Sequence, residues 1–193
     1  MKIEFSEDEN KDILDVILHG SSPGIGGGFF KKLFEAAKAA GHSALMFNFP
    51  FIERGEDHSS GPELLEEIAT LQKVLVDYKA DSYRHIRLIG KSLGGIIAGA
   101  YLKKLDKSQL DKYSLVVLGY VTGSIDIKTF PGKIVIIQGS EDRFGNIDTV
   151  KKDMADAVSY DVTFYSVDGA DHSYREPASK NPIFEDQAVK LVS

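Results

Sequence analysis

Short apolar, β-branched runs recur along the chain, each bounded by glycine or a polar turn and most followed by a longer stretch with helical period. The runs are Ile13 to Leu18, Ala44 to Phe49, Ile86 to Ile89, Leu115 to Leu118, Ile134 to Ile137 and Val162 to Val167. They are apolar almost throughout, as strands of a parallel sheet covered on both faces must be. Met1 to Phe5 is expected to pair antiparallel with the first of them through the polar turn near Asn10.

Between the strands, Phe29 to Ala40 reads as a helix that stops at Gly41, a residue suited to a left-handed C-terminal position. Ser60 and Glu63 have the spacing of a capping box, Pro62 falls in the first turn, and Leu64, Ile68, Leu71, Leu75 and Tyr78 make one apolar stripe. Ser92 to Lys104 and Ile147 to Ala157 are further helices, with Asp148 as N-cap of the second, and Asn181-Pro182 opens a last one. This alternation predicts an α/β fold: a doubly wound, mostly parallel sheet with right-handed crossovers, its ligands beyond the carboxyl ends of the strands.

A chain of 193 residues with 42% hydrophobic content can bury one sizeable core, so residues 1–193 are expected to form one domain. The net charge of −6 argues against binding nucleic acid by phosphate neutralisation. The basic pairs Lys31-Lys32, Lys103-Lys104 and Lys151-Lys152 fall on helices and read as solvated faces. There is no cysteine, which excludes disulfides, thiolate metal sites and a cysteine nucleophile. No stretch approaches the ~20 apolar residues of a membrane span, and residues 1–8 lack the apolar core of a secretory signal. The expectation is a cytoplasmic protein without a membrane partner.

Chemistry concentrates at Gly90-Lys91-Ser92-Leu93-Gly94, a GxSxG pattern. The pattern alone is weak. Its placement strengthens it, because it follows the strand at 85–89 and opens a helix rich in small residues, the context a nucleophile elbow requires. Gly-Lys-Ser also ends a Walker A loop, but that motif needs glycine at position 85, where His85 stands, and 86–89 is an apolar strand. A dinucleotide fingerprint starting at Gly24 fails in the same way at Phe29.

A serine hydroxyl needs a histidine to take its proton and a carboxylate to orient the imidazole. His172 is the only histidine downstream of Ser92 and follows the strand ending at Val167, which makes it the candidate base. After the strand ending at Ile137, Glu141 and Asp142 compete as the acid; Asp142 falls where this fold places it, and Asp171 adjoins His172 too closely in sequence to reach its ring. An oxyanion hole needs two N–H groups. Leu93 should supply one and the loop His19-Gly20-Ser21-Ser22 the other, with Ser21 preferred over Ser22 and His19 read as a tie for that loop. His42, His58 and His85 show no partner pattern, no two histidines share ligand spacing, and neither metal nor cofactor is expected.

Taken together, His19-Gly20, Asn48-Phe49-Pro50, the Gly-Lys-Ser-Leu-Gly-Gly at 90–95, the segment 138–145 and Asp171-His172-Ser173 resemble the α/β-hydrolases. The likeness runs over nearly the whole chain and is closest to small members without a cap, similar to dienelactone hydrolases. It implies a serine hydrolase acting through an acyl-enzyme. Lysine before the nucleophile followed by Gly-Gly also resembles a branch containing subunits of chromatin-modifying complexes, which implies the alternative of a non-catalytic module that binds a protein partner. A peptidase or amidase would share the same triad. Only residues 121–132 separate two strands where many relatives carry a helix or a lid, so the expected substrates are small or surface-presented esters, thioesters or lactones.

Overall fold

A computed structural model describes residues 1–192. The strands are β1 (Ile3–Ser6), β2 (Ile13–Leu18), β3 (Ser43–Phe47), β4 (His85–Lys91), β5 (Tyr113–Leu118), β6 (Ile134–Gly139) and β7 (Val162–Val167). The helices are α1 (Gly28–Ala39), α2 (Pro50–Glu53), α3 (Leu65–Asp77), α4 (Leu93–Leu102), α5 (Lys107–Leu110), α6 (Ile125–Lys128), α7 (Ile147–Asp153) and α8 (Glu185–Lys190). One seven-stranded sheet has the order β1-β3-β2-β4-β5-β6-β7, parallel except for β1. This is the mostly parallel α/β architecture that the alternation predicts.

Side chains alternate between two apolar layers. Leu14, Val16 and Leu18 of β2 face a cluster that includes Ile68, Leu71 and Leu75 of α3 and Ile97 and Ala98 of α4. Ile17, Met46, Ile89 and Leu118 face the opposite way, onto Phe30, Leu33 and Phe34 of α1 and Ala188 of α8. Burial on both faces explains why the strands read as continuous apolar runs.

Several local expectations are corrected. The N-terminal strand pairs with β3, Ile3 opposite Phe47, and not with β2. Both edges of β2 are already taken by parallel partners, β3 on one side and β4 on the other, so the free ladder is that of β3. Ser60 and Glu63 do not form a capping box. Helix α3 starts two residues past Glu63, with Leu64 in left-handed conformation at φ 52° before it. Ser60 instead closes the turn on the buried Glu67, donating from its hydroxyl to Oε2 (2.5 Å) and from its N–H to Oε1 (2.9 Å). At α7 the cap is Asn146, whose Oδ1 accepts from Thr149 N at 3.0 Å, and Asp148 lies inside the first turn. That helix gives way at Met154 to a single tighter turn, and α8 starts at Glu185, beyond Asn181-Pro182. The segment 121–132 is short, as read from the sequence, but it carries the one-turn helix α6.

Candidate active site

Ser92 stands between β4 and α4 at φ 52° and ψ −116°, backbone angles that a side chain rarely tolerates and that cost roughly 1–3 kcal/mol. The turn is possible because the neighbouring positions carry no side chain. A Cβ at Gly90 would lie 2.4 Å from the nitrogen of Gly95, and one at Gly94 would lie 2.3 Å from the carbonyl oxygen of Leu18. Strand and helix thus meet backbone to backbone, and Ser92 is pushed outward at the amino end of α4.

Three strand ends bring the expected trio together. The Ser92 hydroxyl lies 2.9 Å from Nε2 of His172, and Nδ1 of His172 lies 2.7 Å from Oδ2 of Asp142. With a proton on Nδ1 donated to the carboxylate, Nε2 is the acceptor for the serine proton. The other carboxylate oxygen of Asp142 accepts from the N–H of Phe144 at 2.9 Å, and the Phe144 ring packs edge-on against the imidazole, centroids 4.7 Å apart. Gly139 lets the His172 loop close over β6, since a Cβ there would lie 2.3 Å from the carbonyl oxygen of Ala170.

The competing carboxylates stand elsewhere. Glu141 is exposed and, among the described residues, its carboxylate reaches only the Ser140 hydroxyl, at 3.4 Å. Asp171 accepts from the N–H groups of Ser173 (2.8 Å) and Arg175 (3.0 Å), which braces the loop. Burial opposes its ionisation, but these N–H groups and Lys180 outweigh that and hold it below the usual carboxylate range.

The loop after β2 passes directly over the elbow. A Cβ at Gly20 would lie 3.2 Å from the Lys91 carbonyl oxygen and 3.5 Å from the Ser92 Cβ. Ser21 follows at the rim, whereas Ser22 turns away to line a separate cavity with Pro23, Gly27 and Lys91. His19 ties this loop down, as its sequence position suggests. Fully buried, it accepts the N–H of Phe49 on Nε2 (2.8 Å) and donates from Nδ1 to the Gly20 carbonyl (2.6 Å). Burial pushes its pKa down, against the opposing pull of that carbonyl.

Two features escaped the sequence reading. His42 and His85 do have partners: His42 Nδ1 lies 3.1 Å from Asp15 Oδ2, and His85 Nε2 lies 2.9 Å from the Ser114 hydroxyl. Asp15 also faces Arg87 Nε at 3.1 Å, an ion pair too bent to count as a hydrogen bond. A carboxylate inside the apolar run at 13–18 was the available signal. The second is Lys91, only 8% exposed, with its ammonium 5.7 Å from the centre of the Tyr174 ring. Burial pushes it down to about 8, although Asp142 and Asp171 pull upward. Among the described residues no three His, Cys, Asp or Glu side chains cluster as metal ligands, and no helix is long and apolar enough to cross a membrane.

A family model described as an alpha/beta hydrolase domain matches residues 11–192. The chain belongs to this family. Solved structures with the alpha/beta hydrolase fold overlay almost its full length. An alpha-beta serine hydrolase homologue from Coxiella burnetii is 16% identical with a TM-score of 0.72, covering 99% of this chain and 91% of that one. Est1E from Butyrivibrio proteoclasticus, solved with ferulic acid bound, is 13% identical at a TM-score of 0.72, covering 99% and 93%. A monoacylglycerol lipase from Paleococcus ferrophilus is 13% identical at 0.68, covering 100% and 99%. At such identities the likeness is one of fold. No curated protein matches. Within the alpha/beta hydrolase fold, Ser92, Asp142 and His172 occupy loops beyond β4, β6 and β7, at the carboxyl end of the sheet where such folds bind their ligands.

Proposed function

We propose that the chain is a serine hydrolase that cleaves small or surface-presented carboxylic esters through an acyl-enzyme. Ser92 attacks the ester carbonyl while His172 Nε2 takes its proton; the imidazolium so formed is held by Asp142. The backbone N–H groups of Leu93 and Ser21 hold the oxyanion of the tetrahedral intermediate. Its collapse expels the alcohol, which recovers the proton from His172. Water then attacks the acyl-serine with His172 again as base, releasing the acid.

One observation carries this reading. The unbroken chain of contacts, 2.9 Å from hydroxyl to imidazole and 2.7 Å from imidazole to carboxylate, ends on a serine held at a positive φ. Backbone strain at a site of this kind is stored for use. Thr122, whose hydroxyl donates to the Phe144 carbonyl at 3.0 Å, also lines a cavity of about 390 Å³ with the apolar Ile96, Val121 and Ile125 and the ion pair of Lys103 with Asp126, which offers room for an acyl or alcohol group.

Labelling with a fluorophosphonate tests the reading. The wild-type chain is expected to take up one covalent tag on Ser92, and Ser92→Ala none. An unlabelled wild type would favour the non-catalytic module. Labelling accompanied by amide but not ester turnover would favour the peptidase or amidase.

A further inference from the structure

On the α1 face of the elbow lies a second cavity, of about 100 Å³, walled by Gly27, Gly28, Phe29, Phe30, Lys91 and Arg175. Ser22, Pro23, Ser173 and Glu185 complete it. A water occupies about 30 Å³ in the liquid, so the space suits one small oxoanion or a few waters.

Apart from the apolar Pro23, Phe29 and Phe30 and the carboxylate of Glu185, its lining favours negative charge. Helix α1 is twelve residues long, and its first N–H groups have no side-chain cap: Gly27 has no side chain to supply one, and no acidic residue stands in the first turn. Such an end carries about half a positive charge together with free donors. The Lys91 side chain, nine-tenths buried, makes no hydrogen bond or ion pair among the described residues; its ammonium lies over the Tyr174 ring and beside Gly119. A buried cation in that position is costly unless an anion joins it. Arg175, exposed at the mouth, pairs with no carboxylate among the described residues. Glu185 is already engaged by Lys32, 3.1 Å away.

We propose that this cavity is an oxoanion site that takes a carboxylate or a phosphate group. Its walls adjoin the catalytic residues in sequence: Ser22 follows Ser21, Lys91 precedes Ser92 and Ser173 follows His172. A bound anion therefore touches three of the loops that build the active site. The link to catalysis rests on the serine hydrolase reading; binding of the anion does not. The anion is either the charged end of an ester substrate or a free ion, and the same chemistry serves both.

Inorganic phosphate is the probe, titrated calorimetrically into the full chain at pH 7 with chloride holding ionic strength constant. One saturable site is expected. Binding should weaken roughly tenfold in Arg175→Ala, because the guanidinium's charge-assisted hydrogen bond to the anion goes with the side chain. Gly28→Glu is expected to abolish binding while keeping the fold, because a side chain there meets open space and a carboxylate suits a helix start. Glu185→Gln should tighten binding. Affinity should also fall above pH 8 as Lys91 loses its proton, the groups around it being Asp142, Asp171, Arg143, His172 and Tyr174, with Arg175 and Glu185 in the same cavity lining.

Two esters separate the sources. If the substrate's own charge uses the site, Gly28→Glu lowers kcat/KM for a 4-nitrophenyl hemisuccinate more than for the neutral butyrate, and phosphate competes only with the former. If a free anion uses it, phosphate changes both esters alike. Absence of saturable binding, or equal binding by Gly28→Glu and wild type, overturns the proposal. Because titration does not need Ser92, a chain that binds phosphate but takes no fluorophosphonate loses the hydrolase reading alone, and the converse result loses the anion site alone.

Discussion

The bare Cα of Gly119 separates the ammonium of Lys91 from the imidazole of His172. A Cβ there would lie 2.7 Å from Lys91 Nζ and 3.0 Å from Cε1 and Nδ1 of His172, and the residue holds φ +67°. Gly119→Ala must therefore displace the imidazole or the lysine, besides straining the backbone. Because displacing a reacting group by about 1 Å costs on the order of a hundredfold in rate, kcat on 4-nitrophenyl butyrate should drop by about that factor. A variant with wild-type kcat would show that the imidazole position is not held here.

Asp142→Asn keeps the size of the side chain and removes its charge. The amide can donate to Nδ1, which favours the tautomer with the proton on Nε2, where it can no longer accept from Ser92. A fall in kcat of roughly 10⁴ is expected, with KM little changed. Steady-state kinetics on the same ester decides it; a loss of less than tenfold would remove Asp142 from the role.

The backbone angle at Ser92 gives a stability prediction opposite in sign to activity. Ser92→Gly and Ser92→Ala should both be inactive, but glycine accepts φ 52° without strain. The glycine variant should be the more stable by about 1 kcal/mol, or about 2–4 °C in Tm by calorimetry. Equal melting temperatures would mean that the elbow is not strained.

Lys91 should make stability depend on alkaline pH. Its value in the folded chain, about 8, lies below the 10.5 of an unfolded lysine, so between the two the unfolded chain binds more protons. Stability should rise as pH climbs through that window, and the penalty is fully present below pH 8. Lys91→Met removes it and should gain up to about 3 kcal/mol at pH 7, with a Tm flat between pH 8 and 10. A wild-type Tm already flat across that range would contradict the assignment.

His19 sets the acid side. Since burial lowers its pKa, the unfolded chain takes up that proton first as pH falls. Stability from the neutral ring is present above about 6.5 and lost as pH drops below it. His19→Ala should lose this acid sensitivity along with about 1–3 kcal/mol, because the N–H of Phe49 is left unpaired in the interior. Chemical denaturation at pH 5 and pH 7 measures both.

What the sequence disclosed follows physical rules. Strands β2 and β7 were legible to the residue because each is a short apolar run between strong turn signals, and the Ser92, Asp142, His172 trio was legible because each residue follows its own strand. Strand partners were not. Local pattern says that Ile3 to Ser6 is extended, but only the closure of β2 between β3 and β4 decides that its neighbour is β3. Caps failed similarly: Ser60 chose Glu67, seven residues on, over Glu63, because Leu64 adopts a left-handed turn that no spacing rule announces. Lys91 stayed invisible because a lysine between glycine and serine reads as surface until the sheet buries it.

The trio is also a product of distant chain segments: 80 residues separate His172 from Ser92 and 30 separate it from Asp142, and β5 lies between the strands that carry the first and second of the three. No local fragment can assemble it. Parallel pairings of this sequence separation form late and slowly, so if Ser92 is the proposed nucleophile, recovery of its reactivity during refolding is expected to mark completion of the sheet, trailing any signal that reports helix formation alone.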